Sequence, residues 1–108
     1  MATLQHNITT VLTQDLLKAG ENVSSIKYIS IANMDASSAA KIDLFLNKGA
    51  NNYYLLRNIE LPIQTTLVLG KEDNISFNNR SNGFSLRIQV DNGSTAAVPV
   101  DVIITRDL

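Results

Sequence analysis

Phe84-Ser85-Leu86-Arg87-Ile88-Gln89-Val90 alternates without a break between apolar and polar side chains. Successive side chains of a β-strand point to opposite faces, so this period of two predicts a strand with one buried and one wetted face. The turn-prone Asp91-Asn92-Gly93-Ser94 follows, and beyond it Val98, Val100, Val102 and Ile104 repeat the alternation against Pro99, Asp101, Ile103 and Thr105. The two runs can close as a hairpin across a long connection. Pro99 has no N–H for a ladder and belongs at a strand start or on an edge.

Working outward, Ala40, Ile42, Leu44 and Leu46 alternate with Lys41, Asp43, Phe45 and Asn47, and Lys48-Gly49-Ala50-Asn51-Asn52 turns the chain into residues 53–59. These runs read as a hairpin. Residues 26–34 form an apolar run with Tyr28, Ile29 and Ile31 on both faces, as expected of a central strand covered on both sides. Residues 65–69 read as another strand, and Gly70-Lys71-Glu72-Asp73-Asn74 turns into a short strand at 75–77. At the N-terminus, 8–13 is read as the first strand and 14–19, with Leu16, Leu17 and Lys18, as one helical turn ending at Gly20. About eight short strands separated by turn signals predict an all-β antiparallel sandwich, with jelly-roll and immunoglobulin-like topologies both open. The expected unit is a single domain over 1–108, with 1–22 as an N-terminal strand or arm leading into it.

Composition agrees with strands and excludes several kinds of function. Ile and Val number 18 and Thr 8, all stiff at χ1 and favoured in sheets, while Asn occurs 12 times and gathers in the expected turns. With three Phe, three Tyr and no Trp, the core must be aliphatic. Nine basic against ten acidic residues leave a net charge of -1, without the basic excess of a phosphate-neutralising nucleic-acid binder or the cluster of a polybasic membrane anchor. The chain has no Cys, hence no disulfide, thiolate nucleophile or Cys-ligated metal. No apolar stretch approaches the roughly 20 residues of a membrane span, and MATLQHNITT lacks the regions of a signal peptide. The expectation is a chain made and kept on the cytoplasmic side, with neither nucleic acid nor membrane as partner.

A search for chemistry finds none to place. His6 is the one histidine, near a terminus expected to be mobile, so a Ser-His-Asp arrangement has no firm base. Phosphate-loop, dinucleotide, zinc-protease and EF-hand spacings are all missing. Adjacent Glu72 and Asp73 read as solvating a tip, and Asp91 with Asp101 lacks a defined separation. Asp73, Asn74, Asn78 and Asn79 could offer oxygens to calcium but follow no ligand pattern, so turn chemistry is preferred. Five Asn-x-Ser/Thr triplets reflect composition when no signal peptide precedes them. Tyr53 and Tyr54 are adjacent and face opposite sides of a strand, which predicts one in the core and one exposed. No catalytic residue, cofactor or metal ligand is assigned.

What remains is the edge problem: a small, nearly neutral sandwich has open strand edges that must be blunted or paired with another chain. Low net charge reduces repulsion between copies and favours self-association. The succession Ile26-Lys27-Tyr28-Ile29-Ser30-Ile31-Ala32-Asn33-Met34-Asp35, then Lys41-Ile42-Asp43-Leu44-Phe45-Leu46, Tyr53-Tyr54-Leu55-Leu56-Arg57-Asn58-Ile59, Leu61-Pro62-Ile63 and Thr66-Leu67-Val68-Leu69 with Asp73-Asn74-Ile75 resembles small β-sandwich virion proteins of tailed bacteriophages, particularly marine and cyanobacterial ones. The resemblance covers roughly 23–105. Lys71-Glu72-Asp73-Asn74 departs from it, standing where a Pro-Gly or Glu-Gly turn is common. It implies a virion component made in the host cytoplasm and present in many copies on the head exterior, neck or tail. It carries over no enzymatic residue. The expected function is therefore a non-enzymatic structural subunit binding identical copies and neighbouring virion proteins, with capsid decoration slightly favoured over neck or tail. Its expected contact residues are Asn51, Asn52, Tyr53, Asn78, Asn79, Arg80 and Asn92, on three Asn-rich tips at 50–53, 78–83 and 92–95, together with Tyr54. The alternative from another class is a carbohydrate-binding module, motivated by the tyrosine pair and the Asn-rich loops and weakened by the lack of Trp.

Overall fold

The computed structural model describes residues 3–23, 25–73, 75–94 and 96–106. Eight strands follow in order: β1 (Thr3–Ile8), β2 (Gln14–Leu17), β3 (Ile26–Asn33), β4 (Ala40–Lys48), β5 (Asn51–Leu61), β6 (Thr66–Leu69), β7 (Ser85–Asp91) and β8 (Val100–Arg106). They pair antiparallel in two four-stranded sheets, a first in the order β1-β8-β3-β6 and a second in the order β2-β7-β4-β5. The ladders β4:β5, β3:β6, β2:β7 and β1:β8 are those of one long ribbon, folded at the β4–β5 turn and rolled into two layers. That nesting is the jelly-roll order and decides between the two topologies the sequence left open. The β4–β5 turn is two residues, Gly49-Ala50, with Gly49 at φ 62° where such a loop needs positive φ.

The four inner strands contribute the main apolar rows to the space between the sheets. Ile29 and Ile31 from β3, Ile42 and Leu44 from β4, Leu86, Ile88 and Val90 from β7 and Val100, Val102 and Ile104 from β8 are fully buried. The central cluster is aliphatic throughout, with Phe77 packed at its margin. Phe45 is also buried, but it lies on the outer side of β4, between Leu44 and Leu46 that face in.

Two buried asparagines close the ends of the slab. Asn33 donates from Nδ2 to the carbonyls of Ser38 (3.0 Å), Leu61 (3.0 Å) and Pro62 (3.2 Å), and its Oδ1 accepts from Asp35 N (2.9 Å). Asn79 donates to the carbonyls of Lys18 (3.0 Å) and Phe84 (2.9 Å), and its Oδ1 accepts from Val23 N (3.0 Å). Because odd and even strands run in opposite directions, Asn33 ties together loops of one end and Asn79 those of the other. No buried side-chain polar atom of the described residues lacks a partner.

Several sequence expectations are corrected. Strands β7 and β8 do not form a hairpin: β7 has both edges bonded, to β2 and β4, and β8 likewise to β1 and β3, so the 92–99 segment crosses between sheets. Residues 14–19 are not a helical turn but hold β2, whose ladder slips between Asp15 and Leu17 and buries Leu16 and Leu17 in succession. The first strand is Thr3–Ile8 rather than 8–13, and it and β2 belong to different sheets. Residues 75–77 form no strand; Ile75 plugs the core from a loop. Strand β3 is central as expected but covered on one face only, for Tyr28 on the other is 45% exposed.

Candidate functional site

The expected contact residues divide between the two ends. Loops β2–β3, β4–β5 and β6–β7 share one end, and Asn51, Asn52, Tyr53, Asn78 and Arg80 lie there on the surface. At that end Asn52 Oδ1 accepts from Asn47 Nδ2 (2.7 Å), the Tyr53 ring meets Phe84 edge-on (5.8 Å between centroids), and Lys48 Nζ stands 5.6 Å from the Phe84 centroid. Asn92 is at the opposite end, where its Oδ1 accepts from Ser94 N (3.0 Å) and Ala96 N (3.3 Å) and shapes its own turn. Thr95 of that tip and Asn74 of the calcium alternative lie outside the described residues. Asn79 is not a surface contact at all: it is fully buried, and its side chain is spent inside the fold.

The tyrosine pair does face opposite sides, but neither ring is in the core. Tyr53 lies across from Leu46 on the inner side, past the end of the slab where little covers it, and is 54% exposed. Tyr54 lies across from Phe45 on the outer side, 5.1 Å between ring centroids, with the Arg57 guanidinium 4.5 Å from its own centroid. The remaining candidates for chemistry are kept apart. Asp91 is in the second sheet and Asp101 in the first, and His6 is half-buried in β1 opposite Val102 rather than on a loose terminus. Asp73 accepts from Gly70 N (2.8 Å) and steadies the short turn of 3-10 helix at Lys71–Asp73. Among the described residues no three His, Asp or Glu side chains are placed to hold a metal ion.

The two outer faces differ sharply. On the second sheet, register sets Asp15 beside Arg87, with Arg87 Nε donating to Asp15 Oδ1 (2.7 Å), and sets Asp91 beside Lys41 beside Glu60. Those are cross-strand rows of alternating charge on a solvated face. On the first sheet the rows read Thr3-Thr105-Tyr28, Gln5-Ile103-Ser30-Val68 and Asn7-Asp101-Ala32-Thr66. Asp101 is the one charged residue in those rows, and its Oδ1 accepts from Asn7 Nδ2 (2.6 Å). Along them, Tyr28, Ile103 and Val68 are 45%, 41% and 55% exposed, with Ser30 between Ile103 and Val68.

Two shallow hollows border this face. One of about 360 Å³ runs along β1 and β8 between Gln5, His6, Asn7, Asp101, Val102 and Ile103. The other, about 240 Å³, lies at the β3–β6 border between Ala32, Asn33, Met34, Gln64 and Thr66. Sequence reading missed the face because it placed contacts on Asn-rich tips. The available signal was the pair of β-branched residues, Ile103 and Val68, at the polar positions of their strands.

Comparison with protein-family models and with curated proteins finds no match to the chain. Among solved structures it is similar to one described as "Crystal structure of Yersinia pseudotuberculosis-derived mitogen (YPM)", with 16% identity over 98% of this chain and 85% of that one and a TM-score of 0.50. At that identity the likeness speaks for the two-sheet arrangement of strands and nothing more.

Proposed function

We propose that the chain is a non-enzymatic structural subunit that docks on flat, weakly charged protein surfaces through the outer face of its β1-β8-β3-β6 sheet. The observation that carries this reading is the contrast between the two faces. Tyr28, Ile103 and Val68 are exposed apolar side chains set among Thr, Ser, Gln and Asn on one face, while the opposite face is laced with charges. Exposed apolar side chains among hydrogen-bonding ones are what protein interfaces bury, and a face whose charges are Asp101, bonded to Asn7, and the Lys27 ammonium, 5.6 Å from the Tyr28 centroid, can meet a copy of itself or a neighbour with little net repulsion. The resemblance in the sequence supplies the setting: a tailed-phage particle, with identical copies and neighbouring virion proteins as partners and capsid decoration slightly ahead of neck or tail.

Mass spectrometry of purified particles of the phage encoding this chain tests the setting. The chain is expected in fixed, high stoichiometry, and its absence from particles overturns the virion reading. Val68→Asp with Ile103→Asp tests the face. The double variant should fold as the parent does and fail to cosediment with those particles, whereas undiminished cosedimentation moves the contact elsewhere.

A further inference from the structure

A sandwich of two open sheets has four edge strands, and three of them here carry devices that discourage pairing. Strand β2 is four residues long, bulged and charged at Asp15; β6 is four residues long. Strand β5 carries Arg57 and Glu60, and its register slips twice against β4. At that irregularity Asn58 sits at φ 53° and donates its N–H to Asp43 Oδ1 (2.7 Å). Short length, bulges and charges are how native sheets keep their edges from adding foreign strands.

Strand β1 has none of these. Its six residues, Thr3-Leu4-Gln5-His6-Asn7-Ile8, pair one for one with β8 without a slip and include no Asp, Glu, Lys, Arg or Pro. In an antiparallel edge strand alternate residues turn their N–H and C=O groups away from the sheet. No turn or loop backbone of the described residues bonds to those of β1. Leu4 and His6, on the inner side with Ile8, are only half-buried at the rim of the core, where a further strand would cover them.

We propose that the outer edge of β1 is a dimer seam, occupied by the same edge of a second copy of this chain running antiparallel. A two-fold axis normal to the sheet joins the two four-stranded sheets into one of eight in the order β6-β3-β8-β1:β1-β8-β3-β6. Self-pairing through one strand is isologous, and a strand without formal charge meets itself with no like-charge opposition. The operation also keeps both outer faces on the same side, so that Tyr28, Ile103 and Val68 of each copy belong to one continuous platform. The inference deepens the self-association in the proposed function, but the seam is a property of β1 whether or not the face binds a virion partner.

Sedimentation equilibrium of the full chain, over roughly 1 μM to 1 mM, tests the seam together with hydrogen exchange at low and high concentration. A monomer–dimer equilibrium is expected, with the amides of 3–8 exchanging more slowly as concentration rises. Thr3→Lys with Gln5→Lys adds charge on the exposed side of the strand, and His6→Lys adds the inward-pointing lysine that protects natural edges. Either change should weaken the dimer roughly tenfold or more while far-UV circular dichroism stays that of the parent. A chain that stays monomeric throughout, or a dimer that both sets of substitutions leave intact, overturns the seam. So does a dimer lost on Val68→Asp with Ile103→Asp but not on the β1 substitutions, which would put the copies face to face. Failure of the virion setting reads differently, as a dimer sensitive to β1 that is missing from particles.

Discussion

Asn79 shows how much a single side chain can hold. Its amide satisfies one N–H and two carbonyls, on Val23, Lys18 and Phe84, while its own carbonyl accepts from Gly20 N (2.9 Å) and Asn22 N (3.1 Å). Removing the amide takes a partner from the buried Val23 N–H and from the part-buried carbonyls of Lys18 and Phe84, each worth on the order of 1 kcal/mol. Asn79→Ala should therefore cost about 3 kcal/mol in urea unfolding, and an exposed-residue change in the same loop, Arg80→Ala, should cost less than about 0.5 kcal/mol. Gly83 in that loop passes so close to Asn78 that a Cβ would lie 2.2 Å from the Asn78 carbonyl oxygen. Because the obstacle is backbone, Gly83→Ala should destabilise by about 2 kcal/mol or more, read by the same titration. The Asn-rich tip thus owes part of its composition to the fold. That separates Asn79 from Asn51 and Asn52, which remain at the surface.

At the scale of the element, β2 and β5 depend on features that break the period of two. The Asp15–Arg87 pair sits directly across β2 and β7 with both side chains about a third exposed. A double-mutant cycle of Asp15→Asn and Arg87→Met should give a coupling of about 0.5 kcal/mol that fades in 1 M salt. A coupling well above 1 kcal/mol would mean the pair is less solvated than its exposure implies. Asn58 tests the β5 irregularity: at φ 53° Asn58→Gly should be tolerated to within about 0.5 kcal/mol, and Asn58→Val should cost more than about 1 kcal/mol. These elements also mark where sequence reading stopped. Strands β4 and β7 were legible because their apolar rows alternate on one face, and β5 was legible through the turn that joins it to β4. Strand β2 was not, because its slipped register buries Leu16 and Leu17 together and mimics a helical run. The β7–β8 linkage was misread because alternation specifies a strand's faces but not its neighbours. The opposite facing of Tyr53 and Tyr54 was legible, but the core place expected for one of them was not, since exposure at a strand end depends on what the other sheet covers there.

For the whole molecule, the nesting of ladders predicts an order of folding. The β4:β5 ladder closes across two residues, whereas β1:β8 joins Thr3 to Thr105 and Ile8 to Val100 and can form only by holding almost the entire chain in a loop. Loop-closure entropy grows with the length of chain enclosed, so each outer ladder becomes affordable mainly after the inner ones have shortened the loop it must close. The chain should fold in milliseconds to seconds, as sheets dominated by distant pairings do. Its transition state should be structured in β4 and β5 with the next ladder, β3:β6, and open at β1 and β8. Ile42 and Ile104 allow a matched comparison, for both are fully buried and Ile→Val at either removes one methylene at about 1 kcal/mol. Ile42→Val should slow refolding in stopped-flow measurements with a φ-value above about 0.5, and Ile104→Val should mainly speed unfolding with a φ-value below about 0.3. The reverse ranking would mean that the ends of the ribbon meet first and that the roll closes from the outside in. The expected ranking also leaves β1 as a late-forming edge, so that a second copy would pair with it after the sandwich has closed.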